Sequence, residues 1–359
     1  MSSTHNAYKK TSHNLFLFTI ALQLILGSLF GIVVANEAVA NYFNYSEDTE
    51  NIFDLKQSKN MVSGLIAPGS EIGMWVWQRD CLVDAWERIL LLEFCKSQGI
   101  TRIFVQVHFN RKEDGSYDLA DKDAWHELLK TANLLEIKVD ALDGDREMGF
   151  AENRSDTLAR LRAILDFHAS QPKNSRFAGI HYDIEPYTTE RWKTGEHREI
   201  AVEFLETMVE VRELILDVDP TLTLANDIPF WYDSDNKYIV GFNGSEKFFN
   251  EHIQDVSDFI AIMSYRTEMI GANSVSEITS GELAYGAKIG RPVFLSIETV
   301  SLPETPQITF YGRSPIEVAS AVRELIDARK GDTSFGGVFL HEYGALRLMG
   351  KQWDLSGLN

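Results

Sequence analysis

The chain has 359 residues, with 53 acidic side chains against 34 basic ones and a formal net charge of −19. No basic face can offset that excess, which argues against a nucleic-acid or anionic-membrane partner. At 44% hydrophobic and 24% charged residues, the composition permits a sizeable core, as one large domain with extra segments or as two small domains.

Lys9 and Lys10 precede an apolar run from Leu15 to Val34. Small residues follow, with Val33-Val34-Ala35 and Ala38-Val39-Ala40 as alternative cleavage sites. The run is also long enough to span a bilayer. Residues 1–35 are therefore expected to be an export signal or an uncleaved anchor attached through residues 15–34, and the protein is expected outside the cytoplasm. Residues 36–70 are polar and acidic and read as a tether.

From residue 71 to 359, short apolar runs alternate with helical patterns. The expected strands are Gly73–Trp77, Arg102–His108, Lys138–Leu142, Gly179–Glu185, Thr221–Asp227, Phe259–Tyr265, Pro292–Glu298 and Gly337–His341. Helical patterns fall at Leu82–Ser97, Asp121–Leu135, Ser155–Ser170, Glu196–Val218 and Pro315–Lys330. Strand alternating with helix predicts a parallel sheet. Eight such units in about 290 residues predict a closed (β/α)8 TIM barrel. An open doubly wound sheet is the alternative, weakened because no Gly-rich phosphate loop follows the first strand. Cys81 and Cys95 fall in one predicted helix, about 21 Å apart along its axis, and are expected not to pair.

The most informative stretch is Phe177-Ala-Gly-Ile-His-Tyr-Asp-Ile-Glu-Pro-Tyr187. Strand alternation puts His181, Asp183 and Glu185 on one face and Ile180, Tyr182 and Ile184 on the other. Carboxylates in a row on a buried face are costly unless paired or used. Such a grouping is what acid/base chemistry on a glycosidic bond requires. The same period, applied to the other strands, turns Phe104, Gln106 and His108 inward, and likewise Phe294, Ser296 and Glu298, Phe339 and His341, and Ala261, Met263 and Tyr265. Barrel sites sit at the C-terminal strand ends. The expected mouth therefore collects Trp77, Gln106, His108, Asp183, Glu185, Asn226 or Asp227, Tyr265, Glu298 and His341.

These motifs resemble those of the family-18 glycoside hydrolases, the chitinase-like barrels. Their fourth strand carries Asp-x-x-Asp-x-Asp-x-Glu. The final Glu is the acid, and the Asp two residues before it orients the substrate's N-acetyl group. The resemblance implies those roles for Glu185 and Asp183. Met263-Ser264-Tyr265-Arg266 is similar to their sixth-strand Met-x-Tyr-Asp, and Gly336-Gly337-Val338-Phe339 to their Gly-Gly-x-Met run. Three positions depart from the family pattern. His181 replaces an Asp, Arg266 replaces the Asp after the Tyr, and His341 stands where the sugar-floor Trp is expected.

A second pattern competes. Many retaining glycosidase barrels carry an acid/base Glu at the end of strand four and a nucleophile Glu at the end of strand seven, where Glu185 and Glu298 fall, although Ile184 replaces the Asn that usually precedes the first. The expected function is an exported glycoside hydrolase acting on a polysaccharide or amino-sugar glycan. Glu185 is the acid, Asp183 the stabiliser, Tyr265 a hydrogen-bond donor, and Glu298 a nucleophile or sugar-hydroxyl acceptor. Trp77, Gln106, His108, His181, Asn226, Asp227, Arg266 and His341 are expected to bind substrate, with no cofactor and no metal. The alternatives are a catalytically inactive carbohydrate-binding barrel and, less favoured, a metal-dependent hydrolase using His108, His181, Asp183 and His341.

Overall fold

The computed structural model describes residues 70–356, with side chains through 349. The leader or anchor expected at 1–35, its apolar run 15–34, and the tether at 36–70 other than Ser70 lie outside the described residues. Among the described residues no helix is long and apolar enough to cross a membrane.

Twelve strands are described. They are β1 (Glu71–Val76), β2 (Arg102–Gln106), β3 (Phe109–Arg111), β4 (Tyr117–Leu119), β5 (Lys138–Asp143) and β6 (Gly179–Tyr182), then β7 (Thr223–Pro229), β8 (Ile239–Phe242), β9 (Ser245–Phe248), β10 (Phe259–Met263), β11 (Val293–Glu298) and β12 (Phe335–His341). Eight of them close a barrel in the order β1-β12-β11-β10-β7-β6-β5-β2. Every neighbouring pair in it is parallel. The eight are the strands expected from the sequence. The β3–β4 and β8–β9 hairpins were not expected, nor were the helices Phe249–Val256, Ser280–Ile289 and Tyr343–Ser356.

The predicted alternation sorts two apolar layers. Ile103, Val105, Ile180, Tyr182, Leu295, Ile297, Val338 and Leu340 face the surrounding helices. Trp75, Phe104, Leu142, Ala225, Phe259, Ala261, Phe294 and Phe339 fill the barrel interior. Phe294 and Phe339 stack there at 4.2 Å. Gly73 makes room for them, because a Cβ at that position would lie 2.5 Å from the Phe339 ring. Below this aromatic plug, buried Arg102 binds both Asp140 oxygens at 2.8 and 2.7 Å and also pairs with Glu71. The N-terminal end of the barrel is thus closed by a hydrogen-bonded ion pair, and the C-terminal end alone is left to form a mouth.

One helix departs from expectation in a way that matters for the cysteines. The helix expected at 82–97 breaks at Asp84, whose backbone is extended and whose carboxylate accepts from Trp86 N and Glu87 N at 2.8 and 3.0 Å. That N-cap starts a second helix, Ala85–Gln98, ended by Gly99 in the left-handed conformation. Cys81 sits in the short turn before the break. The separation expected from one straight helix does not hold, and Cys81 is close enough to help burial raise the Cys95 thiol pKa. Both cysteines are buried and free.

Candidate functional site

β6 stops at Tyr182, three residues short of the expected end at Glu185. One more ladder bond, Asp183 N–H to Asp143 O at 3.0 Å, holds the strand end. Gly144 lies against it so closely that a Cβ there would come within 2.0 Å of the Asp183 carbonyl oxygen. Pro186 then turns the chain into a short 3-10 helix. The residue before a proline is steered away from helical backbone angles, and Glu185 sits at φ −108°, ψ 69°, on the rim of the mouth.

Two carboxyls with raised pKa values lie in the mouth. Asp227, at the end of β7, receives Trp75 Nε1–H at 3.1 Å and shares a 2.8 Å hydrogen bond with His181 Nε2. Burial pushes the Asp227 carboxyl well above the usual carboxylate range, despite the Trp75 bond. Burial does the same to Asp183, helped by the charges of Asp227 and Glu185. Both oxygens of Asp227 are taken by Trp75 and His181, and Asp183 Oδ1 has no partner among the described residues. Burial holds His181 neutral, with its pKa lowered to about 3. Its single N–H is best used at Nε2, toward Asp227.

Glu298 and His341 face each other across β11 and β12, where they are register partners. His341 Nδ1 lies 3.0 Å from both Glu298 oxygens, and Trp77 Nε1–H donates to His341 Nε2 at 3.0 Å. That donation fixes the tautomer, because Nε2 must offer a lone pair and Nδ1 must carry the proton. Burial lowers the His341 pKa, but the Glu298 bond and the charges of Glu298, Glu342 and Asp183 outweigh it and raise the pKa overall. Glu298 Oε1 also accepts from Thr299 N and Val300 N, each at 2.7 Å. This carboxylate is largely committed within the protein.

Tyr265 joins the groups. Burial raises its pKa well above the ordinary phenol value, and so do the charges of Glu298, Asp183, Asp227 and Glu185. Its phenol therefore stays protonated beside four carboxyls and is available as a donor. Its ring lies 6.1 Å from His341. Gln106 is on the inward face of β2, half-buried at the strand end. His108 is placed apart, beside the Arg79–Asp121 ion pair, and burial followed by the Arg79 charge lowers its pKa. Asn226 does not face the mouth. It alternates with inward Ala225 and Asp227, and its Nδ2 donates to Ser257 Oγ at 3.0 Å on the helix side. Arg266 sits on the rim, stacked over Phe230 at 4.7 Å.

The structure adds groups that the sequence reading passed over. The Tyr187 hydroxyl donates to Glu185 Oε1. Tyr187 packs on Trp231 at 5.1 Å, and Trp231 on Tyr232 at 4.9 Å. The signal was an aromatic run, Phe230-Trp231-Tyr232, directly after the end of β7. Among the described residues no three His, Cys, Asp or Glu side chains are grouped so as to hold a metal ion.

No protein-family model matches the chain, and no curated protein matches it. Solved structures do. The spore cortex-lytic enzyme SleL of Bacillus megaterium is 12% identical, with a TM-score of 0.50, over 80% of this chain and 74% of that one. A GH18 chitinase from Pseudoalteromonas aurantia is 14% identical, with a TM-score of 0.48, over 80% of this chain and 100% of that one. A chitinase from Bacteroides thetaiotaomicron is 13% identical, with a TM-score of 0.47, over 81% and 98%. The chain is a (β/α)8 barrel with a distant likeness, at the level of the fold, to the SleL structure.

Proposed function

We propose that this protein is an exported glycoside hydrolase acting on an amino-sugar glycan, with Glu185 as its general acid. The observation that carries the reading is the convergence around Tyr265. Asp183, Asp227, Glu185 and Glu298 come from three strand ends and all bear on one half-buried phenol at the barrel mouth. Fold alone does not give activity, but paired carboxyls with a proton to share are the equipment of glycosidic cleavage.

In this account Glu185 gives its proton to the glycosidic oxygen as the bond to the anomeric carbon breaks, and then takes a proton from the incoming water. Tyr187 holds one Glu185 oxygen, which leaves the other for the substrate. Asp183, as its carboxylate, and Tyr265, as a hydrogen-bond donor, steady the charge that develops on the sugar. A nucleophile needs an exposed lone pair, and Glu298 spends Oε1 on two backbone N–H groups and shares both oxygens with His341. This supports a positioning role for Glu298 and a reaction in which the substrate's own acetamide meets the anomeric carbon. Export rests on the sequence of residues 1–35.

The test is a reducing-end assay of wild type and Glu185→Gln on chitin oligomers, peptidoglycan, galactosaminan and neutral glucans. Cleavage of an amino-sugar polymer that is lost in the variant supports the proposal. Equal cleavage by both proteins removes Glu185 from the chemistry. Tight binding of a glycan without cleavage by wild type identifies the binding barrel instead, the reading favoured by the departures at His181, Arg266 and His341.

A further inference from the structure

A cavity of about 390 Å³ opens beside the mouth, between the loop after β10 and the loop after β11. Arg266, Asn273 and Gln307 are among its lining residues. It lies on the C-terminal face, where a barrel binds what it acts on. Arg266 immediately follows Tyr265, the phenol that neighbours the four central carboxyls. The cavity therefore adjoins Tyr265.

The guanidinium is held but not neutralised. It stacks on Phe230, donates from Nη1 to Tyr265 O at 2.7 Å, and donates from Nε and Nη2 to Asn273 Oδ1 at 3.3 Å each. All of these partners are neutral. Among the described residues no carboxylate forms an ion pair with Arg266, although most arginines of this acidic chain have one. Glu268 also lines the cavity but is exposed and unpaired with it. A guanidinium has five N–H groups. Three are used here, and the remaining two suit a carboxylate in the fork geometry arginine prefers. The guanidinium is half-buried and reachable from the cavity, so an anion entering there can meet it.

We propose that Arg266 and this cavity form a subsite for a carboxylate-bearing sugar, so that the substrate is an acidic glycan. The proposal rests on the glycosidase reading and narrows its substrate class. The carboxylate could be a lactyl ether on an amino sugar or a hexuronate, and two probes separate these sources.

The experiment uses the full-length chain carrying Glu185→Gln, so that probes are bound and not consumed. It is titrated calorimetrically with chitotetraose, with the tetrasaccharide of alternating N-acetylglucosamine and N-acetylmuramic acid, and with tetragalacturonate. The first two probes share a backbone and differ in the lactyl carboxylate. At least one acidic probe is expected to bind about 10- to 100-fold more tightly than chitotetraose, the range for a hydrogen bond to a charged group. Adding Arg266→Gln should bring the two within about twofold. Arg266→Lys, which keeps the charge but lacks the fork, should fall between. Equal affinity for acidic and neutral probes, an acidic preference that survives Arg266→Gln, or no binding of any probe overturns the proposal. The two readings fail separately. Cleavage of neutral glycans at a rate indifferent to Arg266 leaves the glycosidase intact and removes the acidic subsite. Loss of the Glu185 assignment leaves the binding comparison to decide the subsite.

Discussion

Glu282 is fully buried in the helix Ser280–Ile289, and replacing it with Gln should make the protein's stability much less sensitive to a rise in pH from 4.5 to 8. Its Oε1 accepts from Asn250 Nδ2 at 3.0 Å, and Oε2 has no partner among the described residues. Asp233 lies so close to this helix that its Oδ2 would be 2.1 Å from a Cβ on Gly281. Burial first, and the Asp233 charge second, raise the Glu282 pKa from 4.5 to about 8. An acid with a raised folded-state pKa favours folding fully below its unfolded value, and that advantage disappears as pH rises through the folded value. The window is therefore pH 4.5 to 8. A shift of 8 − 4.5 = 3.5 units, at about 1.36 kcal/mol per unit, corresponds to a change on the order of 5 kcal/mol. Gln keeps the shape and the Asn250 contact but has no proton to lose. Urea denaturation of both proteins at steps from pH 4.5 to 9 reads the effect directly. The unfolding free energy of the variant minus that of wild type should rise across the window by a few kcal/mol and then level off. A difference that stays flat from pH 4.5 to 9 would refute the reasoning, since a group that keeps its ordinary pKa in the fold contributes no such slope.

Two further predictions concern the mouth. Gly144→Ala forces a Cβ onto the Asp183 carbonyl. It should destabilise the fold by about 1–3 kcal/mol, as overpacking does, and lower kcat by about 100-fold through displacement of Asp183 and Glu185. Thermal melts and initial rates check both effects. Glu298→Gln loosens the hold on His341 and should lower kcat about 100-fold. Added azide should not restore the rate or yield a glycosyl azide, and recovery by azide would return Glu298 to the role of nucleophile.

The barrel was legible because each strand carries its own instruction. Ile103 and Val105 alternate with Phe104 and Gln106, so one strand states both its helix-facing and its interior face. The aromatic interior made that alternation easy to follow at Trp75, Phe294 and Phe339. The hairpins were hidden because β3 and β4 are three residues each and mostly exposed or half-buried, with no apolar period to show them. The two-residue period reaches Glu298 and His341, which are register partners at the ends of β11 and β12, whereas Asp183, Glu185 and Tyr265 follow the ends of β6 and β10. Asn226 was left open beside Asp227, although Leu222 and Leu224 already set the helix-facing parity of that strand. Hydrogen-bond partners were the part least visible. That Trp75 and His181 share Asp227, and that Glu298 turns to its own following backbone, depends on packing across strands far apart in sequence.

The central claim is that Glu185 protonates the leaving oxygen, and substrates that differ only in leaving group test it most directly. The full-length wild type and Glu185→Gln would be compared on an amino-sugar oligosaccharide and on the matching 2,4-dinitrophenyl glycoside, whose leaving group departs without a proton. The account predicts a loss of about 10²- to 10⁴-fold on the oligosaccharide and far less on the dinitrophenyl glycoside. An equal loss on both substrates, or no loss on either, would contradict it.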